Sequence, residues 1–272
     1  MSLRHTPWAE GHDFSIGLKP IAEDQWLEGG EADPAARKDA LLAAHRDLVW
    51  GETPGSRAGQ AEIAALLGVA PPDGEPPLLA AARTVSDDLI LMEKTDGAWR
   101  VTALSLSAPT FFTAAEVLGK SLADLHGPVH GFAARFLARV QRIFEGLRPG
   151  LILERRNWTV VNSGESFTPH SAPVRARIPD LTPQTTGRDL YIRVERQTLR
   201  RLPATGGALF TIRVWLDPLD ALVQDPERLG AFARAWRNAP PDFKAYKGFS
   251  LYGPLVEGFL RAHGETHSVN ET

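Results

Sequence analysis

Two histidines, two arginine-rich runs and a complete absence of cysteine bound the chemistry open to this chain of 272 residues. His126 and His130 stand four residues apart in LHGPVHGF, a spacing that would put both imidazoles on one face of a helix. Gly127 and Pro128 between them argue against that helix. No HExxH is present, and carboxylates at metal-ligand spacing are missing around the pair. A histidine in such a turn is either a satisfied structural group or a ligand, and the residues alone leave both open. Without cysteine, disulfides, thiolate nucleophiles, cysteine-bound zinc, iron–sulfur clusters and a thiolate-held haem are excluded. Any metal must be held by His or carboxylate.

The second constellation is extended. In LILERRNWTV at 151–160, alternation puts Glu154, Arg156 and Trp158 on one strand face and Arg155 and Asn157 on the other. Guanidinium groups in a sheet need carboxylate partners, and Glu195 in RVERQTLRRLP at 193–203 offers one. Either a salt-bridge ladder sets strand register, or a polar cluster lines a ligand pocket. Arg200 and Arg201 are expected on a turn, and Gly206-Gly207 in a hairpin connection. There is no GxSxG elbow, no GxxxxGK[ST] loop and no GxGxxG after a strand, so acyl transfer and nucleotide hydrolysis lack their motifs.

The elements that must position these residues follow from periodicity. Asp33-Pro34 opens a helix over 34–50, and a second spans 57–67. The PPDGEPP stretch at 71–77 is a loop. Runs at 88–93 and 99–105 flank Thr95-Asp96-Gly97 and predict a hairpin. A short helix over 113–118 ends at Gly119. A longer one from Phe132 carries the stripe Phe132, Phe136, Val140, Ile143 and Leu147, with Arg135, Arg139 and Arg142 largely off it, and stops at Pro149-Gly150. Extended runs at 151–161, 189–195 and 208–215 bring the strands to five, which suggests an antiparallel sheet. Segment 162–187, rich in proline, is expected to be a long structureless lid or binding loop. Helices at 226–236 and 255–262 end the chain.

Composition sets the class. With 43% hydrophobic and 23% charged residues, the chain is long enough to bury a core. Its net charge of −3 supplies no positive field for nucleic acid or anionic lipid. No apolar run reaches the roughly 18 residues of a membrane helix. MSLRHTPWAEGHDF is not a secretory leader, so the expected location is the cytoplasm. No repeat period is visible, and one α+β domain over 1–272 is expected: a mainly helical part at 1–77, a sheet core at 85–216 and a helical part at 217–272.

Several segments together carry a likeness: IGLKPI with Trp26, VSDDLILME, LGKSLADLHGPVHGF, RRNWTV, and LYIRVERQTLRRLP followed by ALFTIRVW. Over roughly 14–252 the chain resembles the haem-dependent oxidative N-demethylase alpha-subunit-like family, long catalogued as a domain of unknown function. The resemblance implies a PAS-like antiparallel sheet with helices packed on one face and helical N- and C-terminal extensions, holding haem b. It implies an oxygenase that removes a methyl group from a small secondary amine with dioxygen and releases formaldehyde. Electrons would come from NADPH through FMN and a 2Fe-2S centre on a separate reductase subunit. A chain without cysteine cannot hold that cluster itself.

The family's histidine element falls on His126, which the resemblance makes the haem ligand; His130 stands where relatives often carry proline. The two polar elements match Arg156, Asn157, Glu195, Arg196 and Gln197. On this likeness the arginines would hold haem propionates, Glu195 would attract a cationic amine, and Trp158 would pack the pocket wall. Segment 31–37 lacks the aromatic residue that relatives often carry, which leaves the amine's identity open. The competing reading is a PAS-like sensor that binds haem or a small ligand without turnover. Oligomeric state is not legible.

Overall fold

The computed structural model describes residues 3–9, 17–126 and 133–265, with the side chains of 126 and 133–136 outside that description. Its strands are β1 (Lys19–Ile21), β2 (Trp50–Glu52), β3 (Asp88–Thr95), β4 (Ala98–Ser105), β5 (Ile152–Val161), β6 (Tyr191–Arg201) and β7 (Ala208–Pro218). Among the described residues they form one sheet of seven strands in the order β1-β5-β6-β7-β3-β4-β2. Every pairing is antiparallel. The β3–β4 hairpin forms as expected. Asp96 and Gly97 both take positive φ, 52° and 78°, the conformation that a two-residue turn between right-twisted strands requires.

The helices are α1 (Pro34–Val49), α2 (Arg57–Leu66), α3 (Pro77–Ala82), α4 (Ala114–Val117), α5 (Leu122–His126) and α6 (Ala133–Gly146). After β5 come α7 (Ser171–Arg175), α8 (Thr186–Asp189), α9 (Pro226–Asn238), α10 (Pro241–Tyr246) and α11 (Phe249–Ala262). Their ends obey local chemistry. Asp33 caps α1 ahead of Pro34, Thr113 and Glu116 close a capping box on α4, and Asp225 caps α9. None of the helices is long and apolar enough to cross a membrane among the described residues.

Pleating sends alternate residues to opposite faces of the sheet. On one face Ile90, Met92, Leu199, Ile212 and Val214 pack with Leu122 of α5 and with Val140 and Phe144 of α6. On the other, Trp158, Val160, Ile192 and Val194 pack with Phe232 of α9 and with Val256 and Leu260 of α11. Farther along that second face, Leu89, Leu91, Ile152 and Leu209 meet Ile63 of α2 and Leu78 of α3. Helices therefore cover both faces, not the single face expected. The central strands are apolar on both sides, and each side must be removed from water.

Two further expectations are corrected, and two unmarked features are added. Segment 162–187 is not structureless: it carries α7, the 3-10 turn Ile178–Asp180 and the start of α8. Asn162 anchors it, donating to the Val174 carbonyl and accepting from the Tyr252 hydroxyl, both at 2.8 Å. Arg200 and Arg201 lie in β6 rather than on a turn. Arg200 stacks over Trp26 and pairs with Glu23, while Arg201 stacks over Trp99, so both stems find apolar cover and the strand continues. The proline-rich stretch is a loop over 71–76 as expected, but Pro77 starts α3, an unmarked helix whose apolar residues are buried. Finally, the mainly helical first 77 residues also carry two short strands that periodicity did not mark. β1 pairs with β5 and β2 with β4, extending both edges of the sheet.

Candidate functional site

Between the sheet and helices α4, α5 and α6 lies a cavity of about 330 Å³. Leu199, Phe210, Ile212, Ile90 and Met92 form its floor; Val117, Leu122, Leu125, Val140, Ile143 and Phe144 form its roof. The amphipathic stripe read from α6 thus turns Val140 and Ile143 onto the hollow, while Arg139 and Arg142 are exposed. Among the described residues, two polar side chains interrupt the apolar wall, Arg155 of β5 and Gln197 of β6. A few placed polar groups in an apolar concavity are the usual make-up of a small-molecule site.

Strand register fixes these two opposite each other, with Asn157 opposite Glu195 one step along. Arg155 Nε donates to Gln197 Oε1 at 2.7 Å, and Gln197 Nε2 donates to Glu195 Oε2 at 3.1 Å. Glu195 Oε1 accepts from the Thr110 hydroxyl at 2.6 Å and lies 3.6 Å from Arg193 Nε. Asn157 Nδ2 donates to Glu195 Oε2 at 3.5 Å. Burial alone would raise the pKa of Glu195. Arg193, Lys247 and the Thr110 and Asn157 hydrogen bonds outweigh it and hold the carboxyl below its usual range. The result is a carboxylate kept ionised beside an apolar hollow.

Lys247, at the turn between α10 and α11, faces the same cluster. Thr159 of β5 donates to its carbonyl at 3.1 Å, and its ammonium lies over the Tyr246 and Phe243 rings at 5.2 and 5.8 Å. Burial presses the Lys247 pKa down to about 8, with Glu195 opposing and Arg155 adding to the fall.

The residues singled out from the sequence divide between the two faces. Glu195, Asn157 and Gln197 come together on the cavity side. Arg156, Arg196 and Trp158 project from the opposite side. There Glu154 stands between Arg156 Nη2 at 3.0 Å and Arg196, which also donates to the carbonyls of Trp26 and Gln25. Arg196 is 1% exposed and ties the 25–28 segment beneath the sheet. Trp158 packs edge-on and tilted among Trp8, Phe232 and Phe249. His126 ends α5, whose Leu122 and Leu125 line the cavity; its imidazole is outside the described side chains, and His130 lies outside the described residues.

Arg155, Thr110 and Lys247 are the cluster members that pattern reasoning did not assign. Alternation already put Arg155 and Asn157 on one face and so held the signal for the first. Thr110 and Lys247 come from loop and helix-end positions remote in sequence, with no periodicity to mark them.

Whether these residues suit a haem is a question of donor chemistry. Among the described residues, no three His, Asp or Glu side chains converge on one point. A porphyrin supplies its own equatorial nitrogens and asks the protein for an axial donor, apolar walls and cations for its carboxylates. The hollow has the walls and a guanidinium at its edge, and α5 brings the His126 backbone next to Leu125. The residues present fit the group. A family model described as haem-dependent oxidative N-demethylase, alpha subunit-like, matches residues 62–257, most of the chain and the whole of this site except its β1-flanking wall at Leu18.

Proposed function

Because the chain belongs to the haem-dependent oxidative N-demethylase alpha-subunit-like family, we propose that it is the haem b-binding oxygenase component of an oxidative N-demethylase acting on a small secondary amine. The observation that carries the reading is the apolar hollow whose wall residue Gln197 donates to the carboxylate of Glu195, which its neighbours hold ionised. Overall, an N-methyl amine, dioxygen, two electrons and two protons give the demethylated amine, formaldehyde and water. When bound, haem supplies the dioxygen and one-electron chemistry that side chains lack. The electrons come from NADPH through a partner reductase with FMN and a 2Fe-2S centre.

The chain's own groups bind, orient and exclude water. His126 would hold the haem iron. Glu195 receives the substrate's ammonium, its two carboxylate oxygens held in place by Thr110, Gln197 and Asn157. Leu199, Phe210 and Ile143 keep bulk water from the methyl group. Arg156, Arg196 and Trp158 hold the back of the sheet, and through it the β5–β6 pair that carries the site. The whole of 1–272 acts as one PAS-like domain in the cytoplasm.

The test is optical and then chemical. Protein from haem-sufficient cells should show a Soret band that His126→Ala shifts or abolishes. Supplied with dimethylamine, NADPH and a competent reductase, it should release formaldehyde in step with NADPH oxidation. Protein that cannot be reconstituted with hemin defeats the proposal. Haem binding with no formaldehyde from any small N-methyl amine would make the chain a sensor module instead.

A further inference from the structure

Arg155 is held like a side chain with work left to do. Its only hydrogen bond among the described residues runs from Nε to Gln197 Oε1. That contact fixes the plane of the guanidinium and leaves Nη1 and Nη2 without a partner among the described residues. The residue lines the cavity, where every other described wall group except Gln197 is apolar.

Glu195 is not its missing partner. The two share a face, but Glu195 already takes Thr110, Gln197 and Asn157 as donors with Arg193 close by. The Gln197 amide stands between the two charges, donating to one and accepting from the other. By contrast, Arg156, Arg196, Arg200 and Arg213 on the other face each lie within ion-pair distance of a carboxylate. A guanidinium on an apolar wall without such a partner is costly unless an anion arrives to pair with it. The planar fork of Nη1 and Nη2 matches the two oxygens of a carboxylate.

We infer that Arg155 is the carboxylate-binding residue of this cavity, oriented by Gln197. The carboxylate has two possible sources, a haem propionate or the acid group of a substrate that is an N-methyl amino acid. In the second case Glu195 and Arg155 read the two ends of a zwitterion. The first source rests on the haem reading above; the second does not.

The experiment compares each carboxylate with its nearest counterpart lacking one. Wild type, Arg155→Gln and Arg155→Lys are titrated with hemin and with hemin dimethyl ester by absorbance, and with N-methylglycine and dimethylamine by calorimetry. Melting curves confirm that each variant is folded. Wild type should prefer one carboxylate probe over its counterpart by about 10- to 100-fold, the range of a lost charged hydrogen-bond pair. Arg155→Gln should erase that preference, and Arg155→Lys should retain part of it, since lysine keeps the charge but not the fork. Preference for hemin over its ester identifies the propionate; preference for N-methylglycine over dimethylamine identifies the substrate acid. Equal binding of both members of both pairs by wild type, or a preference that survives Arg155→Gln, overturns the assignment. Failure of hemin to bind at all defeats the proposed function, while the N-methylglycine arm still decides the role of Arg155.

Discussion

Glu195 and Arg196 are consecutive residues whose charged ends serve opposite sides of one sheet. Glu195 accepts from Thr110 at 2.6 Å on the cavity side, while Arg196 donates to Glu154 and, at 2.8 Å, to the Trp26 carbonyl on the other. The pleat alone separates them. One belongs to the ligand-facing cluster and its neighbour to the scaffold that holds the N-terminal segment under the strands.

Removing Arg196 should therefore cost stability rather than cofactor affinity. In Arg196→Met the buried Glu154 keeps only Arg156, and loss of one partner from a buried pair typically costs about 3–5 kcal/mol. Denaturant unfolding should show a loss in this range, and the added Glu154→Gln change should recover part of it. Hemin stoichiometry per folded molecule should match wild type. A stable Arg196→Met protein that has lost hemin would contradict this division of roles.

Glu195→Gln should separate substrate recognition from haem binding. The variant should bind hemin as wild type does but weaken dimethylamine by about tenfold or more, read from spectral titration. Because the folded-state pKa of Glu195 is depressed, its contribution to stability is present above the unfolded carboxyl value and is lost as pH falls through the folded one. The substitution should thus narrow the stability difference between neutral and acid pH. An acid limb identical to wild type would show that the carboxylate is not held ionised.

Asp87 should show the opposite sign. It is fully buried, neither carboxylate oxygen has a hydrogen-bond partner, and burial raises its pKa to about 6 against the pull of Arg213 and Lys38. A raised carboxyl pKa favours the folded state below the unfolded value, and that advantage is lost as pH rises through about 6. Asp87→Asn should accordingly stabilise the protein by about 2 kcal/mol near pH 8, the gain fading toward pH 4. Urea melts at the two pH values check it; destabilisation at both would mean that the charge is needed by Arg213.

Lys38 should be among the costlier surface-helix positions to change. Its ammonium is buried and donates to the carbonyls of Ala82, Val85 and Asp87 at 2.8, 2.8 and 2.6 Å, joining α1 to the approach to β3. Lys38→Met keeps the apolar stem but strands the Val85 and Asp87 carbonyls, the Ala82 carbonyl keeping the Val85 N–H, and at about 1–3 kcal/mol for each unsatisfied group the loss should be about 2–6 kcal/mol. A thermal melt within a degree or two of wild type would rule out that role.

Much of the local structure was legible because it rests on short-range rules. Asp96-Gly97 specifies the hairpin turn, Thr113 with Glu116 caps α4, and the alternation at 190–195 marks a strand. The short edge strands β1 and β2 were not legible, since each has three residues and depends on the neighbour it pairs with. α3 escaped notice because its prolines look like a loop until Leu78 and Leu79 are buried against α2.

For the site, the amino-acid sequence by itself determined the family, the absence of any thiolate chemistry, and the polar runs that supply Glu195, Gln197, Asn157 and Arg155. Only the tertiary structure decided which of those charges face a hollow and which face the scaffold. The β5–β6 register sorts Arg155 from Arg156 and Glu195 from Arg196, and the packing of α6 leaves the hollow on one side while Glu154 closes the other. Identical side chains one residue apart differ because burial and partner, not residue type, set what a charge can do.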